Sequence, residues 1–233
     1  MERKGQTTPS RTPTTARRLR AYRDSRGSAF LASAAIIVGQ AWLANSLAIR
    51  PVWVLPTVSA VLLVGSVAVY RSEDEEPTGP AAWFPLAVVG LLTLVNAFCL
   101  VLLVRGVFVG SALDPPALVI AGAALWVVNV ATFGLAYWEV DGGGPEDRAR
   151  GAGRFPDLVF PQQQPDQGTL APGDWTPSFY DYLYVSVTAS TAFSPTDAMP
   201  YSWRAKLLMG VESTLSFAII ALLVARAVNI ARG

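Results

Sequence analysis

Residues 116–138 read PALVIAGAALWVVNVATFGLAYW, an unbroken apolar run without one charged side chain. A helix that crosses a bilayer needs roughly 20 mostly apolar residues, because about 1.5 Å of rise per residue must cover about 30 Å of hydrocarbon. Working outward from this run, Ala81 to Val104, Pro51 to Tyr70 and Ala29 to Ile49 are blocks of the same kind. A fifth, Ala205 to Ala227, carries one acid, Glu212, and has Arg226 near its end. Only helices or closed barrels satisfy their backbone polar groups in lipid, and runs this long exclude the alternating strands of a barrel. The expected fold class is therefore all-α: a polytopic transmembrane helical bundle of five spanning helices, plus a short re-entrant or sixth helix.

Composition agrees and narrows the chemistry. Of 233 residues, 52% are hydrophobic and 15% charged, far more apolar than an ordinary globular domain. Histidine is absent, which removes the commonest general base and metal ligand. The single cysteine, Cys99, lies inside an apolar block and can form neither an intramolecular disulfide nor a thiolate metal cluster. With no paired carboxylates at catalytic spacing, no enzyme, metal or cofactor is expected.

The polar stretches divide the chain. Residues 1–27 are rich in Thr, Pro and Arg, lack apolar periodicity, and read as a disordered basic cytoplasmic tail. Five arginines (Arg17, Arg18, Arg20, Arg23, Arg26) stand just before the first block, which is too long for a signal-peptide core and reads as an uncleaved anchor. These arginines suit anionic lipid headgroups; nothing supports nucleic-acid binding. Residues 28–138 form the four-helix transmembrane region, in which Arg50-Pro51 joins the first two spans as a tight hairpin. Arg71 to Pro80 is an acidic turn (Glu73, Asp74, Glu75, Glu76) that reads as a solvated loop. Trp53, Trp83, Trp138 and Trp203 fall near block ends, as interfacial anchors do. Residues 139–177 form one long polar loop, either functional or disordered. Its Gly142-Gly143-Gly144 is not a phosphate loop, since no strand precedes it and no Gly-Lys-Ser/Thr follows.

The remaining segment, 178–233, combines a short helix with the last span. Ser178 to Pro200 reads SFYDYLYVSVTASTAFSPTDAMP. From Tyr182 to Phe193 it can form about 12 residues of helix, roughly 18 Å, too short to cross. Ser186, Thr188, Ser190 and Thr191 lace this helix, and Ser194-Pro195 interrupts it. A broken hydroxyl-rich helix at membrane depth is tolerated only against protein or a water-filled cavity, so the segment reads as re-entrant.

These residues resemble the pore helix, filter and inner helix of the potassium-channel family, whose pattern runs Y-x-S-V-T-x-x-T-T-V-G-Y-G-D-x-x-P. Tyr184, Ser186, Val187, Thr188 and Thr191 match the pore-helix positions, and Asp197 and Pro200 match the residues closing the filter. Ser202, Ala205, Lys206 and Leu207 resemble the start of that family's inner helix. The likeness covers about 45 of 233 residues. It implies a pore element, several copies around one axis and a monovalent cation. The filter departs from the pattern: Ala192, Phe193, Ser194, Pro195 and Thr196 stand in place of T-V-G-Y-G. Without the glycines, successive carbonyls cannot turn toward an ion in the family's way, so potassium selectivity is not expected. The chain as a whole resembles uncharacterised bacterial multi-pass membrane proteins, which implies the bacterial plasma membrane.

Charge bears on orientation. With the N-terminus cytoplasmic, that side holds 14 basic residues and the other 4, whether Ser178 to Phe193 spans as a sixth helix or dips in and returns. The potassium-channel orientation would place the basic tail outside, against this rule.

Glu212, at membrane depth, is either a site in an ion path or a carboxyl bonded to Ser213, Thr214 or the hydroxyls of the short helix. Gln40, Asn45, Asn96 and Asn129 read as interhelical hydrogen bonds, Arg226 as a snorkelling anchor, and Ala34, Gly39, Gly90, Ala121 and Gly134 as close-packing positions. The expected function is channel-like, with pore residues Thr188, Thr191, Ala192, Phe193, Ser194, Pro195, Thr196 and Asp197. The alternative is a non-conducting scaffold or partner-binding membrane protein.

Overall fold

A computed structural model describes residues 15–47, 51, 53–54, 56–61, 84–109, 115–150, 155–163, 175–193 and 198–232. The helices are α1 (Thr15–Ser46), α2 (Phe84–Val109), α3 (Pro115–Val140), α4 (Pro145–Arg150), α5 (Phe179–Ala192) and α6 (Trp203–Arg232). Two short strands, β1 (Leu158–Val159) and β2 (Met199–Pro200), pair antiparallel.

Four stretches are long and apolar enough to cross a membrane: Gly27–Ser46, Ala87–Phe108, Pro116–Gly143 and Trp203–Asn229. They coincide with four of the five apolar blocks. Most of the remaining block, Pro51 to Tyr70, lies outside the described residues, as does the acidic turn 71–80. Residues 56–61 are helical, and the Ser59 hydroxyl, buried, donates to Gln40 Oε1 of α1.

The basic tail differs from expectation. Helix α1 begins at Thr15, inside the stretch read as disordered. Residues 15–23 read TARRLRAYR, made largely of strong helix formers, and the nearest proline is Pro13, just ahead of them. The absence of apolar periodicity hid a helix that propensity supports. Residues 1–14 lie outside the described part.

Helix α3 is the hub. It packs against α1, α2, α5 and α6, and 61% of its spanning window is buried, against 22% for α6. Two glycines permit the approach. A Cβ on Gly39 would stand 2.5 Å from Val128 Cγ2, and one on Gly134 would stand 3.1 Å from the Leu183 Cα. Gly90, expected to pack likewise, faces open space. Trp138 is no interfacial anchor: it is buried, with its ring edge-on to Phe179 at 6.2 Å. Trp53 and Trp203 are exposed, and Trp83 lies outside the described residues.

Pairings between helices fix their directions. Asn96 of α2 meets Asn129 and Thr132 of α3, while Leu103 lies beside Gly122, so α2 runs antiparallel to α3. Helix α6 does the same, through Glu212 with Tyr137, Ser216 with Asn129 and Leu223 with Gly122. Gly39 of α1 faces Val128, and α1 also touches α4, which follows the C-terminal end of α3. Only the N-terminal half of α1 reaches that far, so α1 is antiparallel too. The starts of α1, α2 and α6 therefore lie at the end of the bundle where α3 gives way to the polar loop.

Candidate functional site

The site is built around α5. Asp181 starts this helix: its Oδ2 accepts from the Ser178 N–H and the Ser178 hydroxyl, both at 2.7 Å. The pattern Ser178-Phe179-Tyr180-Asp181 is a capping-box spacing, with Asp in the usual Glu position. Asp181 thus sets the boundary of the segment. Helix α5 has 14 residues, starting three residues earlier than the expected Tyr182. Its length of about 21 Å is short of a span.

Tyr182, Leu183 and Ser186 meet Asp141, Gly134 and the Val130 carbonyl in turn, so α5 descends antiparallel to α3. Ser190 meets Glu212, and Phe193 meets Phe217 with ring centroids 5.5 Å apart, so α5 runs parallel to α6. Phe193 closes the helix at φ 54°, a left-handed conformation normally left to glycine. Ser194, Pro195, Thr196 and Asp197, four of the expected pore residues, lie outside the described residues. The chain is described again from Ala198, which is buried. Met199 and Pro200 then pair with Val159 and Leu158, and the Tyr201 N–H donates to the Asp157 carbonyl at 2.8 Å. Both flanks of the α5 segment are thus held at the same end of the bundle.

The hydroxyls of α5 divide by face. Thr188 bonds the Tyr184 and Val185 carbonyls, and Thr191 those of Val187 and Thr188, all within their own helix. Thr191, Ala192 and Phe193 are exposed. Ser186 and Ser190 turn inward to Glu212, which is 0% exposed. Ser190 donates to Glu212 Oε1 at 2.9 Å, the Ser186 hydroxyl donates to the same oxygen, and the Tyr137 hydroxyl donates to Oε2. Ser186 Oγ also lies 2.8 Å from the Val130 carbonyl oxygen. Ser213 and Thr214 turn instead to the Ala189 and Gly210 carbonyls. The short helix's hydroxyls are therefore the partners the sequence offered for Glu212, joined by Tyr137, which it did not single out.

Deeper along α3, Asn129 Nδ2 donates to Ser216 Oγ at 3.1 Å and Asn96 Nδ2 to Thr132 Oγ1 at 3.2 Å. These are interhelical bonds of the expected kind, whereas Asn45 is exposed. Asn96 Oδ1 and Gln40 Nε2 are buried without a hydrogen-bond partner among the described residues.

At the loop end a second polar cluster fastens the segment. Asp141, 1% exposed, accepts at Oδ1 from the Asp157 N–H (2.7 Å) and the Leu158 N–H (2.9 Å), and at Oδ2 from the Tyr182 hydroxyl (2.6 Å). Asp157 returns the favour, accepting from the Gly142 N–H at 3.1 Å. Gly142, Gly143 and Gly144 all have positive φ, which explains the triple glycine as a reversal of the chain. Arg148 donates to the Asp141 and Trp138 carbonyls and lies 5.0 Å over the Tyr182 ring. In the long loop, 145–150 is helical and 158–159 a strand, so its described part is ordered around α5.

The sequence missed Asp141, Asp157, Tyr137 and Tyr182. One signal was available: Tyr182, Ser186 and Ser190 recur at four-residue spacing, as do Tyr137 and Asp141, so each set shares a helix face. Among the described residues no group of three or more Cys, Asp or Glu side chains is placed to hold a metal ion. No family model, curated protein or solved structure matches the chain.

Proposed function

We propose that the chain is a multi-pass protein of the bacterial plasma membrane, with five spans, in which α5, residues 193–197 and the start of α6 form a channel-type pore-loop hairpin without a potassium-selective filter. One observation carries this reading. Helix α5, too short to span, runs antiparallel to α3 and parallel to α6, and both its flanks are fastened at one end of the bundle. Entry and return at the same face is the geometry of a re-entrant element, tolerated only against protein or water. The five-span count is supported by direction: α1 and α2 run the same way, so the chain crosses once between them, and the Pro51 to Tyr70 block has the composition to do it.

In this five-span reading 14 of the 18 basic residues fall on the loop-end side, so that side faces the cytoplasm and the hairpin enters from there. That inverts the potassium-channel orientation. Several copies around an axis and a monovalent cation complete the proposal. A non-conducting scaffold is the second reading, favoured because Glu212, Ser186, Ser190 and Tyr137 are engaged with one another.

Two experiments test this. Single cysteines near residue 5, at Gly168 and at Gly233 in a Cys99→Ser background report topology by impermeant labelling of whole cells. Labelling of Gly233 alone is expected; labelling at residue 5 and Gly168 instead would restore the channel orientation. Purified protein in liposomes then separates channel from scaffold: a cation flux abolished in Asp197→Asn supports the pore, and no flux under any gradient or voltage favours the scaffold.

A further inference from the structure

Glu212 is enclosed by α3 and α5, and its three polar partners, Tyr137, Ser186 and Ser190, are all hydroxyls. A hydroxyl can both donate and accept, so this pocket satisfies the carboxyl in either of its forms. Ser186 makes the distinction physical. Its oxygen is within hydrogen-bond reach of Glu212 Oε1 and of the Val130 carbonyl, yet it has one proton to give. Both of those neighbours are acceptors when Glu212 is ionised, so only one of the two contacts is then a hydrogen bond.

We infer that Glu212 is a reversible proton-binding site, and that its occupancy decides whether Ser186 fastens α5 to α6 alone or to α6 and α3 together. With Glu212 ionised, Tyr137, Ser186 and Ser190 all donate to the carboxylate, and Ser186 ties α5 to α6. When a proton arrives on Oε1, that O–H donates to Ser186 Oγ, and the Ser186 proton turns to the Val130 carbonyl, which has a lone pair beyond its helix bond. Tyr137 stays on Oε2, and Ser190 keeps a lone pair to which it can donate. One proton enters, none leaves, and every group is satisfied before and after.

Among the described residues the only other titratable group touching Glu212 is Tyr137 of α3; α5 presents Ser186 and Ser190, and α6 offers none. The charged groups of the loop end, Asp141, Asp157 and Arg148, bond elsewhere. The oxygens are in direct hydrogen-bond contact, without the spacing that a metal ion between them would need. This inference does not require the hairpin to conduct.

Infrared pH-difference spectra of the full chain in lipid nanodiscs test it. The expected result is a protonated-carboxyl C=O band that grows on acidification, is lost entirely in Glu212→Gln, and moves to higher frequency in Ser186→Ala as the acid loses its acceptor. If Glu212→Gln does not fold, [13C]glutamate labelling combined with Ser186→Ala takes its place: the label moves glutamate bands and leaves an Asp141 band unmoved, and the labelled band that Ser186→Ala shifts is that of Glu212. A band unaffected by Glu212→Gln or by the label, a band indifferent to Ser186→Ala, or no titrating band at all overturns the inference. Loss of the band at fixed pH when sodium replaces N-methylglucamine would overturn it too, making the site one for a metal cation.

Discussion

Asp141 and Glu212 are two carboxyl groups buried in the same bundle to almost the same degree, 1% and 0% exposed, and each takes three hydrogen bonds. Their partners differ in kind. Two of the donors to Asp141 are backbone N–H groups, which can only donate, so a charged or at least accepting side chain is required there at all times. All three donors to Glu212 are side-chain hydroxyls, which can reverse. Asp141 is therefore a fixed rivet between the loop, α3 and α5, whereas Glu212 is an adjustable contact. Depth alone does not tell the two apart; the chemistry of the neighbours does.

The contrast predicts an order of effects. The largest is Asp141→Ala, which leaves two buried N–H groups and the Tyr182 hydroxyl without their acceptor. About 3 kcal/mol of stability should be lost, read from chemical unfolding in detergent, and hydrogen exchange at Leu158 should rise sharply. Next comes Gly134→Ala, at about 2 kcal/mol in the same assay, because the new methyl meets the backbone of Leu183. Gly122→Ala should cost less than Gly134→Ala, since the atom it meets first is the end of the Leu223 side chain. Tyr182→Phe removes one donor and leaves the backbone bonds of Asp141 intact, so about 1 kcal/mol is expected. Glu212→Met should cost only about 1 kcal/mol, set by the Tyr137 hydroxyl that loses its acceptor, because the two serines can retreat to their own helix carbonyls. If Glu212→Met destabilises as much as Asp141→Ala, the two carboxyl groups are equivalent and the contrast fails.

How far the sequence foretold this follows from the range of the forces involved. The spanning helices were legible because about 20 apolar residues in a row leave few alternatives. The short helix was legible for the same reason in reverse: too few apolar residues, too many hydroxyls. Asp141 was not, because an acid followed by three glycines looks like the start of a solvated loop. Its burial depends on the Asp157 and Leu158 N–H groups and on Tyr182, partners that no local pattern reveals. Tyr137, one residue from a block end, is indistinguishable by composition from an interfacial aromatic, as Trp138 was. The serine partners of Glu212 could be anticipated because a buried acid needs donors and α5 offered them at helical spacing.

The direction of α5 has an electrical consequence. Its N-terminus sits at the loop end, so its C-terminal carbonyls, from Ala189 onward, point into the bundle near the level of Phe217. The aligned peptide dipoles of a helix place roughly half a negative elementary charge at that end. Ser213 bonds the Ala189 carbonyl at 3.3 Å, and the carbonyls beyond it belong to the last turn, where a helix supplies no N–H of its own. The foot of α5 is thereby biased in sign by the backbone alone: positive charge is favoured beside it and negative charge disfavoured.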